Sequence, residues 1–306
     1  MPLRLFEPFR AVFYTPFYAA HALGAYEAEG LDVQMVTSGA EATVSGLMAG
    51  DTDVTWGGPM RIQHMYDQQP GCGVISFCEV VTRDPFFIVG REPRPQFTMS
   101  DLLGVRFGSV SEVNTPWLCL QEDLRRAGLD PEEVNRIEGN TMSQNDAALR
   151  AGALDVIQVF EPFPEQLVAE GVGHIWYAGA SRGATSYTTL STLQSTLRAK
   201  RDQMVRMTRA LYRTQKWLHR TGGPDIATVI AEFFPELAQD ILAASIIRYR
   251  ELGLWGVNPV LPRDGFDRLQ ASGRSGGLFE VGAAYETCVD NTLAREVIEA
   301  DPPAMG

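Results

Sequence analysis

An internal repeat constrains the fold more than any other feature of this sequence. Residues 50–54 read GDTDV and residues 152–156 read GALDV, and each pentapeptide follows a helix-like stretch. Upstream, each copy carries a Thr-Pro pair, at Thr15-Pro16 and at Thr115-Pro116, and then a Gly-Leu-Asp turn. A period of about a hundred residues is too long for a solenoid, whose units have roughly 20–50 residues. The repeat therefore predicts two similar α/β lobes, although unrelated βα units would share some of the same helix-start and turn residues.

The Thr-Pro pairs predict helix N-termini that face a ligand. Thr15 can cap a helix, and Pro16 suits the first helical position because its missing N–H would have no intrahelical partner there. The free amides of the first turn attract a negatively charged or strongly polar group. Thr115 and Pro116 repeat this arrangement in the second copy. A plain helix cap without a ligand is the alternative at both places.

Composition and charge exclude several classes of protein. The chain has 306 residues, of which 45% are hydrophobic and 21% charged, as expected of a globular protein long enough for two domains. The formal net charge is −12, and Lys200 and Lys216 are the only lysines. Because an acidic protein repels phosphate backbones, we expect no nucleic acid partner.

The cysteines predict neither a metal site nor a cofactor. Cys72, Cys78, Cys119 and Cys288 have no CxxC spacing, and no histidine lies at a zinc-like interval from them. We expect buried free thiols, no metal and no cofactor, and leave a disulfide between Cys72 and Cys78 open.

The sequence carries no transmembrane or export signal that pattern reading can detect. No apolar run approaches bilayer length, and the first residues lead directly into a strand pattern. The expected location is cytoplasmic if Met1 is the native start, and periplasmic if an export segment was removed.

The order of elements predicts two crossings between the lobes. Strand and helix patterns alternate up to residue 90, and residues 91–95 (REPRP) form a candidate linker. The pattern then repeats until the chain returns to the first lobe near residue 188, and mainly helices follow after residue 197. We therefore predict lobe I from residues 1–90 and 188–306, and lobe II from residues 91–187. Since ligands bind at the carboxyl ends of strands in open α/β sheets, we expect the binding cleft between the lobes.

Several motifs resemble one known family in order and spacing. They are TPFYAA at 15–20, GAYEAEGLDV at 24–33, AGDTDV at 49–54, LGVRFG at 103–108, AGALDV at 151–156, ELGLW at 251–255 and the segment 285–291. Together they resemble the solute-binding proteins of ABC importers for nitrate, sulfonates, taurine and thiamin-pyrimidine precursors, over about residues 3 to 297. The resemblance implies the type II periplasmic-binding-protein fold, two lobes that close on a ligand about a hinge, and an ABC permease as partner.

The same family includes a fungal thiamin pyrimidine synthase, whose chemistry relies on a cysteine-rich run. By the resemblance, that run would fall at residues 183–190, where this chain has no cysteine. His64 lies near the region of the synthase's histidine, but the match is inexact. The synthase branch is therefore disfavoured.

The candidate ligand-binding residues lie at the ends of predicted strands, in the loops that follow them, or at the helix starts beyond. They are Phe13, Tyr14, Thr15, Ser38, Gly39, Trp56, Gly57 and Gly58 in the first lobe, and Asn114, Thr115 and Glu161 in the second. Trp56 and Trp117 could pack on the body of a ligand, with core packing as the alternative. The resemblance places Glu161 in the cleft, where its carboxylate would repel a sulfonate and accept hydrogen bonds from an amine; a solvated loop carboxylate is the alternative.

The sequence thus predicts a monomeric solute-binding protein for ABC import, which captures a small polar or aromatic organic ligand such as a pyrimidine, sulfonate or carboxylate. The alternative is a cytoplasmic enzyme on the same fold, such as a synthase, decarboxylase or desulfinase. A ligand sensor that signals to a partner protein is a third, weaker interpretation.

Overall fold

The computed structural model describes residues 2–37, 39 and 42–306, and its described strands form two mixed sheets. The strands are β1 Leu3–Glu7, β2 Val33–Thr37, β3 Val54–Gly57, β4 Val74–Val81, β5 Phe86–Gly90, β6 Phe107–Gly108, β7 Arg136–Ile137, β8 Val156–Phe160, β9 His174–Ala178 and β10 Thr188–Leu193. Their order is β2-β1-β3-β10-β4 in the first sheet and β7-β6-β8-β5-β9 in the second. This arrangement confirms the predicted two-lobe α/β fold.

The two sheets share one topology. Three parallel strands stand side by side in each, and the fourth position is taken by an antiparallel strand, β10 in the first sheet and β5 in the second. β10 enters the first sheet only after the chain has built the second. The antiparallel strand in the fourth position of each sheet, β10 or β5, therefore directly follows a crossing between the lobes.

The first crossing lies earlier than the sequence suggested. The predicted boundary at residue 90 assigned Phe86–Gly90 to the first lobe, but this fully buried strand pairs with β8 and β9 of the second sheet. The chain therefore crosses at residues 82–85, and the proline-bearing residues 91–95 follow as an exposed loop. The boundary between the lobes is therefore set by the pairing of the apolar strand Phe86–Gly90 and not by the prolines of residues 91–95.

The helices cover the sheets and include a long C-terminal set. They are α1 Thr15–Ala22, α2 Ala25–Ala28, α3 Ala42–Ala49, α4 Pro59–Gln68, α5 Thr115–Arg126, α6 Met142–Arg150, α7 Phe163–Ala169, α8 Gln194–Ala199, α9 Arg201–Arg220, α10 Gly223–Ile230, α11 Gln239–Glu251, α12 Arg263–Ser275, α13 Tyr285–Cys288 and α14 Thr292–Glu299. α9 packs on α1, α2 and α14, as expected of helices that wrap the first lobe. However, α11 also packs on α7, and α12 on α5, so the C-terminal helices contact both halves.

Equivalent contacts show that the sequence repeat is a structural repeat. The amide of Arg4 donates to Asp53 Oδ2 at 2.9 Å, and the amide of Arg106 donates to Asp155 Oδ2 at 2.9 Å. In each half, the guanidinium also donates to the carbonyl of the glycine that opens the pentapeptide. The aspartate of GDTDV and that of GALDV therefore connect the first and third of the three parallel strands of their sheets, β1 with β3 and β6 with β8, in the same way.

A buried ion network joins the two crossings. Arg182, which precedes the return to β10, pairs with Asp84 of the first crossing and with Asp123 of α5. The side chains of Arg182 and Asp84 are only 6% and 1% exposed. Burial raises the pKa of the Asp84 carboxyl, and the neighbouring guanidinium opposes that shift.

All four cysteines are free thiols, so the disulfide between Cys72 and Cys78 that the sequence left open is not formed.

Candidate ligand-binding cleft

A small cavity lies where the two halves meet. Its volume is about 30 Å³, and its wall is formed by both halves and by the return crossing. The lining residues are Phe9, Phe13, Tyr14, Gly58 and Arg61 from the first half, Phe86, Val113 and Thr115 from the second, Tyr187 from the return crossing, and Thr188 from the start of β10. Several of them follow the carboxyl ends of parallel strands, which is the usual place for a ligand in such sheets.

Aromatic rings dominate the wall. The ring centroids of Phe13 and Tyr14 are 4.2 Å apart, and that of Phe13 is 5.1 Å from Phe160 and 6.5 Å from Tyr187. Phe86 meets Phe160 edge-to-face at 5.2 Å. Half of the lining residues are thus aromatic, and aromatic side chains of this kind can pack on a planar ligand.

Polar donors also converge on the cavity. Arg61 donates to Thr43 Oγ1 at 3.1 Å and lines the wall with its own side chain. The hydroxyl of Tyr187, a residue that is 7% exposed, has no hydrogen-bond partner among the described residues. Burial raises the pKa of both Tyr14 and Tyr187, so each phenol keeps its proton and can donate. The backbone amide of Thr115 lies at the start of α5, where it has no intrahelical partner, and adds a further donor.

A wider depression adjoins the cavity on the outside. It has a volume of about 400 Å³ and shares Arg61 and Val113 with the cavity. It is otherwise lined by Val44, His64, Met65, Ser111, Glu112 and Asn114. Among the described residues, Arg61 and Val113 are the two that line both the cavity and the depression, so the two spaces meet at these side chains.

Four of the predicted site residues line the cavity, and a fifth lines the depression. Phe13, Tyr14, Gly58 and Thr115 line the cavity, and Asn114 lines the depression. Gly39 is exposed with a positive φ of 54° and lines neither space, and the predicted residue Ser38 lies outside the described residues. That the lining residues contact a ligand stays a prediction.

Thr15 does not offer the donors expected of it. A 3₁₀ turn, Val12–Tyr14, runs directly into α1, so the amide of Thr15 bonds to the carbonyl of Val12. The hydroxyl of Thr15 donates to the same carbonyl at 2.6 Å, and the residue is fully buried. Both hydrogen-bond donors of Thr15 are therefore satisfied within the 3₁₀ turn, which the sequence pattern did not predict.

Trp56 and Gly57 belong to the packing behind the cavity. The Trp56 indole is fully buried and stacks on Phe17, with centroids 4.4 Å apart and an angle of 4° between the planes. A Cβ at Gly57 would meet Thr43 Cγ2 at 3.2 Å. The alternative of core packing is therefore the correct one for Trp56. Trp117 is likewise buried and packs on Phe107 in the second half.

Glu161 faces helix α11 rather than the cleft. Its carboxylate lies 2.8 Å from Arg248 Nε and accepts hydrogen bonds from the amide of Glu165 and the hydroxyl of Ser245. Burial raises the pKa of Glu161 to about 7, against the effect of Arg248. Glu161 thus joins the second half to a C-terminal helix, and the expectation that it repels an anionic ligand has no basis in this arrangement.

Sequence reasoning missed the residues that change the chemistry of the cavity most. Arg61 was not proposed, although it lies in the first turn of α4, which begins at Pro59. Phe86, Tyr187 and Thr188 were also missed because they flank the two crossings, whose positions the sequence did not fix.

The described part of the chain has no cluster of three or more His, Cys, Asp or Glu side chains that could hold a metal ion. Within the same residues, no helix is both long and apolar enough to cross a bilayer.

Comparisons with known proteins agree with this architecture. Residues 96–233 match the model of the NMT1-like family. A protein of Bacillus subtilis (strain 168) named "Putative binding protein YtlA" is 26% identical over 298 residues, which are 96% of this chain and 89% of that protein.

Solved structures share the fold at low identity. The alkanesulfonate-binding protein SsuA from Xanthomonas axonopodis pv. citri, bound to MOPS, superposes with a TM-score of 0.72 at 15% identity, over 95% of this chain and 98% of that one. The desulfurization enzyme DSZB has a TM-score of 0.71 at 14% identity, over 99% and 100% of the two chains. These comparisons confirm the fold that the resemblance implies: the chain is similar to the NMT1-like family over residues 96–233 and has the fold of periplasmic binding proteins.

Proposed function

We propose that this chain is a solute-binding protein, which captures a small organic ligand between its two halves and delivers it to the permease of an ABC importer. The observation that carries the proposal is the cavity whose wall is built from both halves and the return crossing. A site of this kind is complete only when the halves meet, so the free energy of ligand binding is coupled to their closure. Two of the similar proteins, from Bacillus subtilis and Xanthomonas axonopodis, are named as binding proteins, and this supports the same function.

The wall favours a ligand with a planar or apolar body and one acidic end. The rings of Phe13, Phe86 and Tyr187 would pack on the body. Arg61 and the first turn of α5 would bind the oxygens of a carboxylate or sulfonate, because both offer N–H donors with positive charge or dipole. The structural similarity to an alkanesulfonate-binding protein is consistent with an acidic ligand.

Ligand entry requires the halves to separate. A cavity of about 30 Å³ is far smaller than typical small-molecule sites, which measure roughly 300–1,000 Å³. The arrangement described here therefore corresponds to a closed form, and the lobes would rotate about the crossings at residues 82–85 and 183–187. Export to the periplasm and a monomeric state are part of this proposal.

The enzyme alternative is weaker. It is favoured by the fold similarity to DSZB, but that likeness extends to the fold alone. No cysteine is among the described residues that line the cavity, so a thiol nucleophile is absent from this wall.

A thermal-shift screen tests the proposal. Sulfonates, aromatic carboxylates, aminopyrimidines and nitrate would be compared, and we expect an aromatic acid or sulfonate to raise the unfolding midpoint saturably. Arg61→Gln should weaken that ligand at least tenfold in calorimetric titration, whereas Arg201→Gln, at an exposed ion pair with Glu296, should leave the affinity unchanged. Equal affinities of the wild type and Arg61→Gln would refute the proposal that Arg61 binds the acidic group of the ligand.

A further inference from the structure

A second pocket lies behind the cleft, at the hinge. Its volume is about 530 Å³, and it is lined by both crossings, through Thr82, Arg83 and Ala184, and by the loop between α11 and α12. We call it the hinge pocket. It shares no lining residue with the cleft cavity.

A buried carboxyl group in the wall of the hinge pocket has unused bonding capacity. Glu79, on β4, is 3% exposed, and its Oε1 has no hydrogen-bond partner among the described residues. A buried polar atom without a partner costs free energy, which a ligand that supplies a donor would recover. Glu79 therefore marks the part of the wall where a donor group would bind.

The other titratable groups near Glu79 define the charge of the pocket. Arg83 donates to the carbonyl of Leu252 at 2.9 Å, and His219 Nε2 lies 3.2 Å from the carbonyl of Gly256. The Arg83 guanidinium and the His219 ring thus each have a carbonyl partner, in contrast to Glu79 Oε1.

Glu79 itself is held mainly in its protonated form. Burial raises the pKa of Glu79 to about 8, and the negative charge of Asp264 raises it further, while hydrogen bonds from Ser186 and Thr82 lower it. An incoming positive charge would reverse the unfavourable effect of burial on the carboxylate.

We propose that the hinge pocket binds a small organic cation, whose ammonium group pairs with the carboxylate of Glu79. The ammonium supplies the donor that Oε1 lacks, and the carboxyl group releases its proton to solvent as the ion pair forms. The remaining volume of the pocket accommodates the ligand's short carbon chain against Trp255 and Val260.

Occupancy of the hinge pocket would act on the cleft through two short connections. The indole of Trp255, which lines the hinge pocket, donates to the carbonyl of Phe13 at 2.9 Å, and Phe13 lines the cleft cavity. The return crossing places Ala184 on the hinge pocket and Tyr187 on the cleft. If the cleft binds its ligand as proposed, each ligand changes the affinity of the other by the same factor.

The site is tested without any cleft ligand, with ethylammonium chloride as the probe and sodium propionate at equal ionic strength as the matched anion. Ethylammonium should raise the unfolding midpoint of the wild type saturably, and propionate should not. Glu79→Gln, which keeps the shape but removes the charge, should weaken ethylammonium at least tenfold. Calorimetric titration in buffers of different ionisation enthalpy should detect close to one proton released at pH 6.5 and fewer at pH 9.

A pair of rim variants provides a test that does not depend on the buried substitution. Val257 lines the pocket and is 68% exposed, so charged residues there need no repacking of the core. Val257→Arg should weaken ethylammonium and Val257→Glu should strengthen it, each by several fold. Arg61→Gln, in the cleft, should leave ethylammonium binding unchanged, which separates this proposal from the proposed function. Absence of saturable ethylammonium binding to the wild type, or equal binding to wild type and Glu79→Gln, would overturn the assignment, and so would identical affinities of the two Val257 variants.

Discussion

Removing the arginine that bridges the two crossings should destabilise the protein strongly and in a pH-dependent way. Arg182 pairs with Asp84 and Asp123, and its Nη2 lies 2.5 Å from Asp123 Oδ2. Arg182→Met keeps much of the length of the side chain but leaves Asp84 as a buried carboxylate without its cationic partner. Asp84 also accepts a hydrogen bond from the amide of Phe86, so it cannot turn away from this site without breaking the start of β5.

The magnitude follows from the burial of the pair. Removing one partner of a buried ion pair costs about 3–5 kcal/mol, because the remaining charge stays without compensation. Unfolding entropies of roughly 2.1 cal/mol/K per residue mean that 1 kcal/mol shifts the midpoint of a 306-residue chain by about 1.6 °C. We therefore expect Arg182→Met to lower the thermal midpoint by about 5–8 °C at pH 7.

The sign of the pH dependence is fixed by Asp84. Burial already raises its pKa, and loss of Arg182 removes the effect that opposes this rise. A carboxyl group whose pKa is raised in the folded state favours folding at low pH, and this advantage is lost as the pH rises through the folded pKa. The deficit of Arg182→Met relative to wild type should therefore shrink on acidification from pH 7 towards pH 4.

Differential scanning calorimetry of four proteins provides the assay: wild type, Arg182→Met, Asp84→Asn, and the double variant. The double variant has no uncompensated charge at Asp84 and should recover most of the loss caused by Arg182→Met. A double variant as unstable as Arg182→Met, or a deficit that does not change between pH 7 and pH 4, would refute the reasoning.

Three further predictions concern other buried groups. Glu79→Gln should be more stable than the wild type by a margin that grows from about pH 4.5 to about pH 8, because the raised pKa of Glu79 makes the folded wild type lose stability over that range. Urea denaturation at several pH values measures the free energies of unfolding of both proteins. A difference between them that does not depend on pH would contradict this prediction. Gly108→Ala should cost about 1–3 kcal/mol in the same assay, since its Cβ would lie 2.5 Å from Leu154 Cδ1; a neutral effect would show that Leu154 can move away. Glu161→Ala should lower the free energy of unfolding by about 1–3 kcal/mol, because the hydrogen bonds that Glu161 accepts are lost. The same substitution should change the affinity for the cleft ligand less than twofold. A tenfold loss of affinity in calorimetric titration would show that Glu161 contacts the ligand.

The fold was predictable because it depends on patterns that are local and repeated. The two pentapeptides at 50–54 and 152–156 predicted matching lobes, and their aspartates make equivalent contacts in the structure. The first crossing was misplaced because a proline-rich segment resembles a linker wherever it lies. The buried strand Phe86–Gly90 could be assigned only by its pairing partners, which a single sequence does not reveal.

The candidate site was only partly predictable, because side-chain direction decides which residues meet. Phe13, Tyr14 and Thr115 line the cavity as expected, whereas Glu161 follows a strand of the correct sheet but turns towards α11. Arg61 went unrecognised for the converse reason: sequence spacing places it on a helix but does not show that this face of α4 borders the other half.

The two halves are alike in topology but contribute different chemistry to the cleft, and this difference bears on the ligand. In the first half a 3₁₀ turn precedes the Thr-Pro helix, so its rings, Phe13 and Tyr14, line the cavity while Thr15 is internally bonded. In the second half the chain bends before α5 without such a turn, and Thr115 itself reaches the wall. Two identical halves would suit a ligand with matching ends. An aromatic wall opposite a polar helix start instead favours a ligand with an apolar body and a single polar end, which is the class we propose.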